Sequence, residues 1–363
     1  MGVSVGIVGL PNAGKSTLFN ALTRAGATVG NYPFTTIEPN TGVVPVPDPR
    51  LERLSELFSP PRTIPATVTF TDIAGLVRGA SKGEGLGNQF LGHIRETDAV
   101  CFVVRGFQDP DVTHVEGDVD PVRDLELLSL ELTIADLDAV TRRVERLDRN
   151  SRLMKEKDLA SLAVLRRVQA HLEEGLPVRT LGLSTEEEDT IRELCLLTAK
   201  PIIVVVNVDE AEAAAPGEVY ERVRAHVADH GEVLAISARI ESEIVELDPD
   251  DQRAFLDELG LKEPGLHRLA RQAYHLLDLV TFFTAGEKEV RAWTVHRGAS
   301  AVDAAGEIHT DLARGFIRAE VVDAEVLLAA GSDKAVRDQG RLRVEGKDYL
   351  IADGDCIHVR FNV

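Results

Sequence analysis

The chain has 363 residues, of which 44% are apolar and 28% are charged, as is typical of a globular protein with two or three domains. Its 40 basic and 60 acidic residues give a net charge of −20. This charge excludes a globally basic nucleic-acid-binding protein but leaves room for a local basic patch. No segment has the pattern of a secretion signal or a membrane span, so we expect a cytoplasmic protein without a membrane partner.

The sequence predicts alternating strands and helices in its first third. A helix from Ser16 to about Ala25 follows a glycine-rich turn. Short apolar or alternating runs predict strands at 3–8, 66–72, 98–104 and 201–207. Strands separated by helical stretches favour a parallel sheet, and the fold class is therefore α/β.

Residues 9–17 read G-L-P-N-A-G-K-S-T, which is G-x-x-x-x-G-K-S between a predicted strand and a predicted helix. Glycines let backbone N–H groups turn towards phosphate oxygens, and the helix N-terminus adds positive partial charge. Lys15 would place a cation on the outer phosphates, and Ser16 would offer its hydroxyl to Mg²⁺. The segment predicts a P-loop.

Two later segments lie where a P-loop NTPase needs them. In D-I-A-G (72–75), the Asp72 carboxylate ends a predicted strand and can hold Mg²⁺ through a water, while the Gly75 amide can sense the terminal phosphate. The segment 31–40, N-Y-P-F-T-T-I-E-P-N, offers Thr35 and Thr36, and one of these hydroxyls can complete the metal shell.

Residues 125–198 interrupt the alternation and predict helices. The apolar seam is expected to follow two heptad series: Leu130, Leu137, Val144 and Ser151, and Thr133, Val140, Leu147 and Met154. Helical spacing continues over 162–172, and a third helix is predicted at about 185–198. We interpret this region as an inserted helical hairpin. Residues 142–157 carry seven Lys or Arg and three acids, which indicates either a solvated helix with i,i+4 pairs or a docking face for RNA or an acidic partner.

The C-terminal region predicts a helix from 265 to about 277 and then a separate α+β unit over 279–363. Within this unit, we predict a strand at 290–295 and a broken helix at 301–316. Residues 349–361 predict two strands around an Asp-Gly turn.

The predicted strand 201–207 runs into N-V-D-E (207–210), where a GTPase has N-K-x-D. Glu210 is one methylene longer than the aspartate that accepts the guanine N1–H and N2–H₂, and Val208 lacks the lysine stem. Losing that charged bidentate contact costs roughly 2–3 kcal/mol, or about 30- to 150-fold in affinity. The residues therefore argue against strict GTP selectivity, although Asp209 can read guanine if the loop shifts by one residue.

These segments together resemble a G protein of the Obg superfamily and, more closely, the Obg-like ATPases of the YchF family. Segments 9–17, 31–40, 207–210 and 353–361 carry the resemblance, with the long segment 72–91 as its most specific part. The resemblance covers the whole chain. It implies a P-loop G domain at 1–128 and 199–278, an antiparallel helical insert at 129–198 and a C-terminal β-grasp (TGS) domain at 279–363.

The resemblance also implies roles for individual residues. The phosphates would be cradled by Asn12, Ala13, Gly14, Lys15, Ser16 and Thr17. Ser16 and Thr36 would ligate Mg²⁺, with Asp72 ordering the metal shell. Gly75, Asn207 and Val208 would also bind the nucleotide, with Val208 meeting adenine chiefly through its backbone.

The residue after D-I-A-G is Leu76, whereas Ras-like proteins have a glutamine that orients the attacking water. A leucine cannot hydrogen-bond water, so either slow intrinsic turnover or a catalytic group from elsewhere in the chain follows. The resemblance points to His114 as the water-positioning residue, and to Asn12 as a site of K⁺ stimulation. Alternatively, His114 is an ordinary loop histidine without a catalytic role.

The leading expectation is therefore a Mg²⁺-dependent ATPase that acts as a switch and binds the ribosome, through the 50S subunit or its RNA, and not DNA. ATP preference and ribosome binding follow from the resemblance. An Obg-type GTPase is one alternative. A binding module with incidental turnover is the other.

Overall fold

The computed structural model describes residues 3–29, 40–73, 86–109, 118–149 and 156–362. Three successive parts of the chain contain the following elements. The first part comprises β1 (Val3–Gly9), α1 (Lys15–Val29), β2 (Thr41–Pro45), α2 (Pro49–Phe58), β3 (Thr63–Ile64), β4 (Thr67–Asp72), α3 (Leu86–Glu96) and β5 (Ala99–Arg105). The second comprises α4 (Pro121–Asp148), α5 (Glu156–Glu173), α6 (Thr185–Ile191), β6 (Ile202–Asn207), α7 (Glu210–Ala214), α8 (Glu218–Val227), β7 (Glu232–Ile236), α9 (Ala238–Ile244), α10 (Pro249–Glu258) and α11 (Gly265–Leu276). The third comprises β8 (Leu279–Ala285), β9 (Val290–His296), α12 (Ala301–Ile308), α13 (Thr310–Arg314), β10 (Phe316–Asp323), α14 (Ala324–Ala330), α15 (Asp333–Asp338), β11 (Arg343–Glu345) and β12 (Asp355–Phe361).

The first sheet has the strand order β2-β4-β1-β5-β6-β7. All neighbouring strands are parallel except β2, which runs antiparallel to β4. Every residue of β5 and β6 is buried, because helices cover both faces of such a sheet. The predicted α/β class is confirmed, and its parallel strands direct β1, β4 and β6 to one common edge.

Helices α4 and α5 form the predicted hairpin. Gln169 contacts Thr141 at 3.4 Å and Arg166 contacts Asp148 at 2.7 Å, so the two helices pack antiparallel. A separate apolar cluster holds them together: Val140, Val144, Leu162, Leu165, Val168, Leu172, Val178, Ile191 and Leu196. The cluster gives the insert a small core of its own.

Two details of the helical region differ from the sequence prediction. Leu130, assigned to the seam, is 45% exposed, while Leu128 and Leu132 are buried. The predicted third helix is broken: α6 ends at Ile191, a 3₁₀ turn covers Arg192–Leu194, and Cys195 has a φ of +46°. Ser151 and Met154 lie outside the described residues.

The second sheet has the order β11-β10-β12-β8-β9-β3. Its first and last long strands, β8 and β12, are parallel neighbours in the centre, and antiparallel partners flank them. Helix α12 packs on one face of this sheet. This arrangement is a β-grasp, as expected. The two-residue strand β3 joins the far edge in parallel with β9, so a segment from the first third of the chain completes the sheet.

The prediction of two strands at 349–361 was wrong. Residues 349–352 contribute one isolated bridge, between Leu350 and Ser300, and β12 begins at Asp355. Between them, Gly354 has a φ of +94°, which favours glycine and ends the extended run. Among the described helices, none is long and apolar enough to span a bilayer.

Candidate nucleotide-binding site

The loop between β1 and α1 has the backbone that the glycine-rich motif predicts. Asn12 and Gly14 have φ values of +65° and +87°, and the Ala13 N–H donates to the Leu10 carbonyl at 3.3 Å. A Cβ placed on Gly14 would overlap the Nδ2 of Asn207. A Cβ on Gly9 would lie 2.7 Å from the Val103 carbonyl oxygen. Both glycines are therefore required by close approach of neighbouring atoms.

Helix α1 begins at Lys15, directly after this loop, and has no acidic residue in its first turn. The first N–H groups of a helix have no intrahelical acceptor, and the helix dipole makes this end electropositive. The first turn contains Lys15, Ser16 and Thr17. The local sequence therefore leaves an end of α1 that is suited to an anion such as a phosphate.

Lys15 Nζ forms an ion pair with Asp72 Oδ1, at the carboxyl end of β4. The two side chains are 13% and 18% exposed. The Asp72 N–H donates to the Asn40 carbonyl at 2.9 Å, so the residues that precede β2 fix the end of β4. The structure thus brings together the P-loop lysine and the carboxylate that the sequence assigned to the metal shell.

The oxygen donors at this edge fit Mg²⁺, which prefers carboxylate and hydroxyl ligands and keeps several waters. Ser16 and Asp72 flank Lys15, one in sequence and one in space. The described residues contain no ready-made cluster of three or more His, Cys, Asp or Glu ligands.

Asn207 braces three parts of the site. Its Nδ2 donates to the Ala13 carbonyl and its Oδ1 accepts from the Ala238 N–H, both at 3.0 Å. Its backbone carbonyl accepts from the Gly106 N–H at 2.8 Å. The side chain is buried. The structure therefore gives Asn207 a bracing role, in addition to its position beside the expected base.

Val208 is 2% exposed and packs in the core between β5, β6 and α8. Its N–H donates to the Ile236 carbonyl at 3.0 Å. A contact to adenine through the side chain or the N–H is therefore excluded in this conformation. The Val208 backbone carbonyl can still make the predicted contact with adenine.

Glu210 is the first residue of α7, and its Oε1 lies 3.1 Å from Arg239 Nε. Asp209 caps the same helix by position, and its side chain makes no capping hydrogen bond. Sequence reasoning missed Arg239, which lies in the first turn of α9. The signal was the segment S-A-R (237–239) immediately after an apolar run, because the carboxyl ends of parallel strands share one edge.

Arg105 was also missed. It ends β5 with a buried side chain, donates to the carbonyls of Phe107 and Asp109 at 3.2 Å, and lies 4.5 Å above the Phe107 ring. It fixes the backbone at Phe107 and Asp109, directly after β5. His114, Thr36 and Gly75 lie outside the described residues.

Two family models match the chain. Residues 4–133 match the model described as "50S ribosome-binding GTPase". Residues 279–362 match YchF-GTPase_C, described as a "Protein of unknown function (DUF933)". With the sheet order and the loop geometry, the first match defines the chain as a P-loop protein of the GTPase fold.

Known proteins define the family further. The Ribosome-binding ATPase YchF proteins of Bacillus subtilis (strain 168) and Escherichia coli O157:H7 are each 50% identical to this chain, with all of both chains covered. The structure of the Schizosaccharomyces pombe YchF GTPase superposes with a TM-score of 0.90 at 35% identity, over 99% of this chain and 97% of that one. The chain belongs to the YchF family.

Proposed function

We propose that this protein is an ATP-binding switch that hydrolyses ATP to ADP and phosphate and binds the ribosome. The observation that carries the proposal is the composition of the base loop, N-V-D-E (207–210). The Asn207 Nδ2 donates to the P-loop carbonyl of Ala13 at 3.0 Å, so the base loop is joined to the P-loop. The lysine and aspartate that favour guanine, however, are replaced by Val208 and Glu210. The relatives' printed name, Ribosome-binding ATPase YchF, supports the same reading.

The chain's own groups would bind and orient the triphosphate. The N–H groups of residues 12–17 would donate to its oxygens, and Lys15 would exchange its ion pair with Asp72 for the outer phosphates. Ser16, Thr36 and Asp72 would hold Mg²⁺, and Asn12 would hold K⁺. When bound, Mg²⁺ supplies a Lewis acid that neutralises charge on the outer phosphates. The Gly75 amide would sense the terminal phosphate.

The attacking water would be positioned by His114, because Leu76 cannot hydrogen-bond water. Replacing His114 with alanine should lower the single-turnover hydrolysis rate about 10²-fold, with ATP affinity unchanged. His230→Ala is the control, since that residue precedes β7 at the opposite edge of the sheet. An unchanged rate in His114→Ala would remove His114 from the mechanism.

Base competition tests the nucleotide assignment. The purified, nucleotide-free protein is titrated calorimetrically with ATP, ADP, GTP and GDP in the presence of Mg²⁺. Adenine nucleotides should bind at least as tightly as guanine nucleotides. The competing function is an Obg-type GTPase, favoured by one observation: the Asp209 side chain makes no capping bond in α7. A tenfold or greater preference for guanine would establish that alternative.

We further propose that the ribosome, in particular the 50S subunit, is the macromolecular partner of a cytoplasmic protein. The TGS unit at 279–363 and the helical insert at 129–198 would present the contact surfaces, attached to the nucleotide-binding parts 1–128 and 199–278. On the insert, Arg142, Arg143 and Arg149 each form an ion pair with an acid. These pairs favour a solvated face over a continuous basic patch, and any RNA contact should be local and salt-sensitive.

Cosedimentation with isolated 50S and 30S subunits tests this partner at low and high salt, with ATP or ADP. Binding to 50S should depend on the nucleotide. Lys15→Ala, which removes the phosphate cation, should abolish that dependence, whereas the exposed Lys262→Ala should not. Ribosome binding and biological activity that both survive Lys15→Ala would indicate a binding module with incidental turnover.

A further inference from the structure

Glu210 and Arg239 form an ion pair at the edge of the sheet where the base is expected. Glu210 follows β6 and Arg239 follows β7, and these two strands are parallel neighbours with Asn207 opposite Ile236. The Glu210 Oε1 lies 3.1 Å from the Arg239 Nε. The Ala238 N–H, one residue before Arg239, donates to Asn207 Oδ1 at 3.0 Å. The pair therefore lies beside the residue that braces the P-loop.

This ion pair bears directly on base selection. Guanine is read by a carboxylate that accepts from its N1–H and N2–H₂ groups, and Glu210 has the carboxylate in this loop position. A carboxylate engaged with a guanidinium must give up that contact before it accepts from guanine. Adenine has neither donor, so its binding requires no such exchange.

We propose that Arg239 is a specificity-determining positioning residue, which keeps Glu210 away from guanine and thereby favours adenine nucleotides. The inference deepens the proposed ATPase function and rests on it. Glu243, one turn further along α9, accepts from the same Nε at 3.4 Å. The arginine side chain is thus held between two carboxylates. It acts on the base through Glu210 and needs no contact of its own with the nucleotide.

Solvent exposure limits the size of the effect. The side chains of Arg239 and Glu210 are 76% and 47% exposed, and exposed pairs are weak and screened by salt. Removing the pair should therefore change guanine affinity by about fivefold, not a thousandfold. The same exposure gives a second signature, because high salt should mimic the removal of Arg239.

The experiment measures dissociation constants of ADP and GDP for the full-length, nucleotide-free protein with Mg²⁺, at about 50 mM and 500 mM salt. The variants are Arg239→Ala, Glu210→Gln and the double substitution. Arg224→Ala is the matched control, because Arg224 forms a similarly exposed pair with Glu221 at 2.7 Å on α8, with side chains 63% and 54% exposed. Arg239→Ala should tighten GDP binding about fivefold at low salt and leave ADP binding within twofold.

The double-mutant comparison shows whether Arg239 acts through Glu210. In the Glu210→Gln background, Arg239→Ala should leave the ratio of ADP affinity to GDP affinity unchanged. The control, Arg224→Ala, should leave this ratio unchanged in either background. High salt should lower the ratio of ADP affinity to GDP affinity in the natural protein, because salt weakens the exposed ion pair, but it should not lower that ratio in Arg239→Ala. An unchanged ratio in Arg239→Ala, or an equal change for both nucleotides, overturns the inference.

Failure of the inference is distinguishable from failure of the ATPase proposal. The proposal fails if the natural protein itself prefers GDP by tenfold or more, whatever the variants do. The inference fails if the natural protein prefers or tolerates ADP and the Arg239→Ala ratio equals that of the natural protein. An Asp209→Ala variant identifies the alternative reader, because a loss of GDP affinity confined to that variant would assign guanine to Asp209 and contradict the role of Glu210.

Discussion

Asn207 donates a hydrogen bond from its Nδ2 to the carbonyl of Ala13 at 3.0 Å, across 194 positions of sequence. The bond joins the end of β6 to the P-loop, and the same side chain accepts from Ala238 after β7. One buried amide thus sets the distance between the phosphate loop and two base-side loops. The site is held by a tertiary contact as well as by its local motif.

Replacing Asn207 with alanine should loosen both phosphate and base binding. It leaves the buried Ala238 N–H without its acceptor, which costs about 1–3 kcal/mol of unfolding free energy. Because the P-loop loses its brace, the affinities for ADP and GDP should fall together, by about tenfold or more. Calorimetry and urea denaturation measure the two effects. Gln169→Ala, which removes an amide from the distant insert, should leave both affinities unchanged.

Gly14→Ala should abolish tight nucleotide binding while the fold persists. An alanine there must adopt a φ near +87° and its Cβ would overlap Asn207 Nδ2. Left-handed backbone alone costs an L-residue about 1–2 kcal/mol. Gly175→Ala is the matched control, since Gly175 has a φ of +80° with no neighbouring atom within 4 Å of its Cβ position. Both variants should lose stability because of the left-handed backbone, and Gly14→Ala should lose more because of the overlap with Asn207. Only Gly14→Ala should lose nucleotide affinity; retained affinity there would contradict the clash.

The sequence predicted the P-loop well because the motif is local. Its glycines, Lys15 and Ser16 act within one loop and one helix turn, so spacing alone specifies the geometry. Asn207, Arg239 and Arg105 acquire their partners only when strands far apart in sequence become neighbours. No local pattern reports that Glu210 meets an arginine 29 positions later.

The helical insert shows why a regular repeat can mislead. The first half of α4 packs against the first sheet through Leu125, Leu128 and Leu132, whereas the second half packs on α5 through Val140 and Val144. A single heptad seam assumes one packing partner along the whole helix. The heptad pattern therefore predicted a buried Leu130, which is exposed.

The break after α6 has a tertiary cause. The carboxylate of Asp136 accepts from the N–H groups of Leu197 and Thr198 at 2.9 and 2.7 Å and from the Thr198 hydroxyl at 2.7 Å. These bonds hold residues 197–199 in a 3₁₀ turn where helical propensity alone predicts a continuous helix.

Arg50 joins α2 to the C-terminal sheet, and Arg50→Ala should destabilise the whole protein. Its guanidinium bonds Asp48 at 2.7 Å and Asp353 at 2.8 Å, and lies 5.3 Å from the centre of the Phe283 ring. These charge-assisted bonds are partly shielded from solvent, so their loss should cost about 1–3 kcal/mol in urea denaturation.

The neighbouring arginine of α2 provides the control for this prediction. Arg53 forms a pair with Glu325 at 2.7 Å in which both side chains are at least half exposed. Arg53→Ala should therefore cost less than about 1 kcal/mol. Equal losses for the two variants would show that shielding and the two-carboxylate geometry of Arg50 contribute nothing.

The same contact predicts a pH dependence on the acid side. Burial raises the pKa of Asp353, but the hydrogen bonds from Arg50 and the Thr281 N–H together lower it by more. The pKa of Asp353 therefore lies below the ordinary aspartate value. A carboxylate with a lowered folded-state pKa stabilises the fold fully above its unfolded-state pKa of about 4. That stabilisation is lost as pH falls through the lower, folded-state pKa.

Urea denaturation of the natural protein and of Asp353→Asn at several pH values between about 6 and 3 measures this linkage. The difference in unfolding free energy should be constant down to about pH 5 and should shrink below about pH 4, because protonation removes the charge that the substitution has already removed. Asp250→Asn, whose side chain is 95% exposed, should show no such convergence. A difference that stays constant to pH 3 would mean that Asp353 stabilises the sheet by its shape and hydrogen bonds, and that its charge on Arg50 contributes nothing.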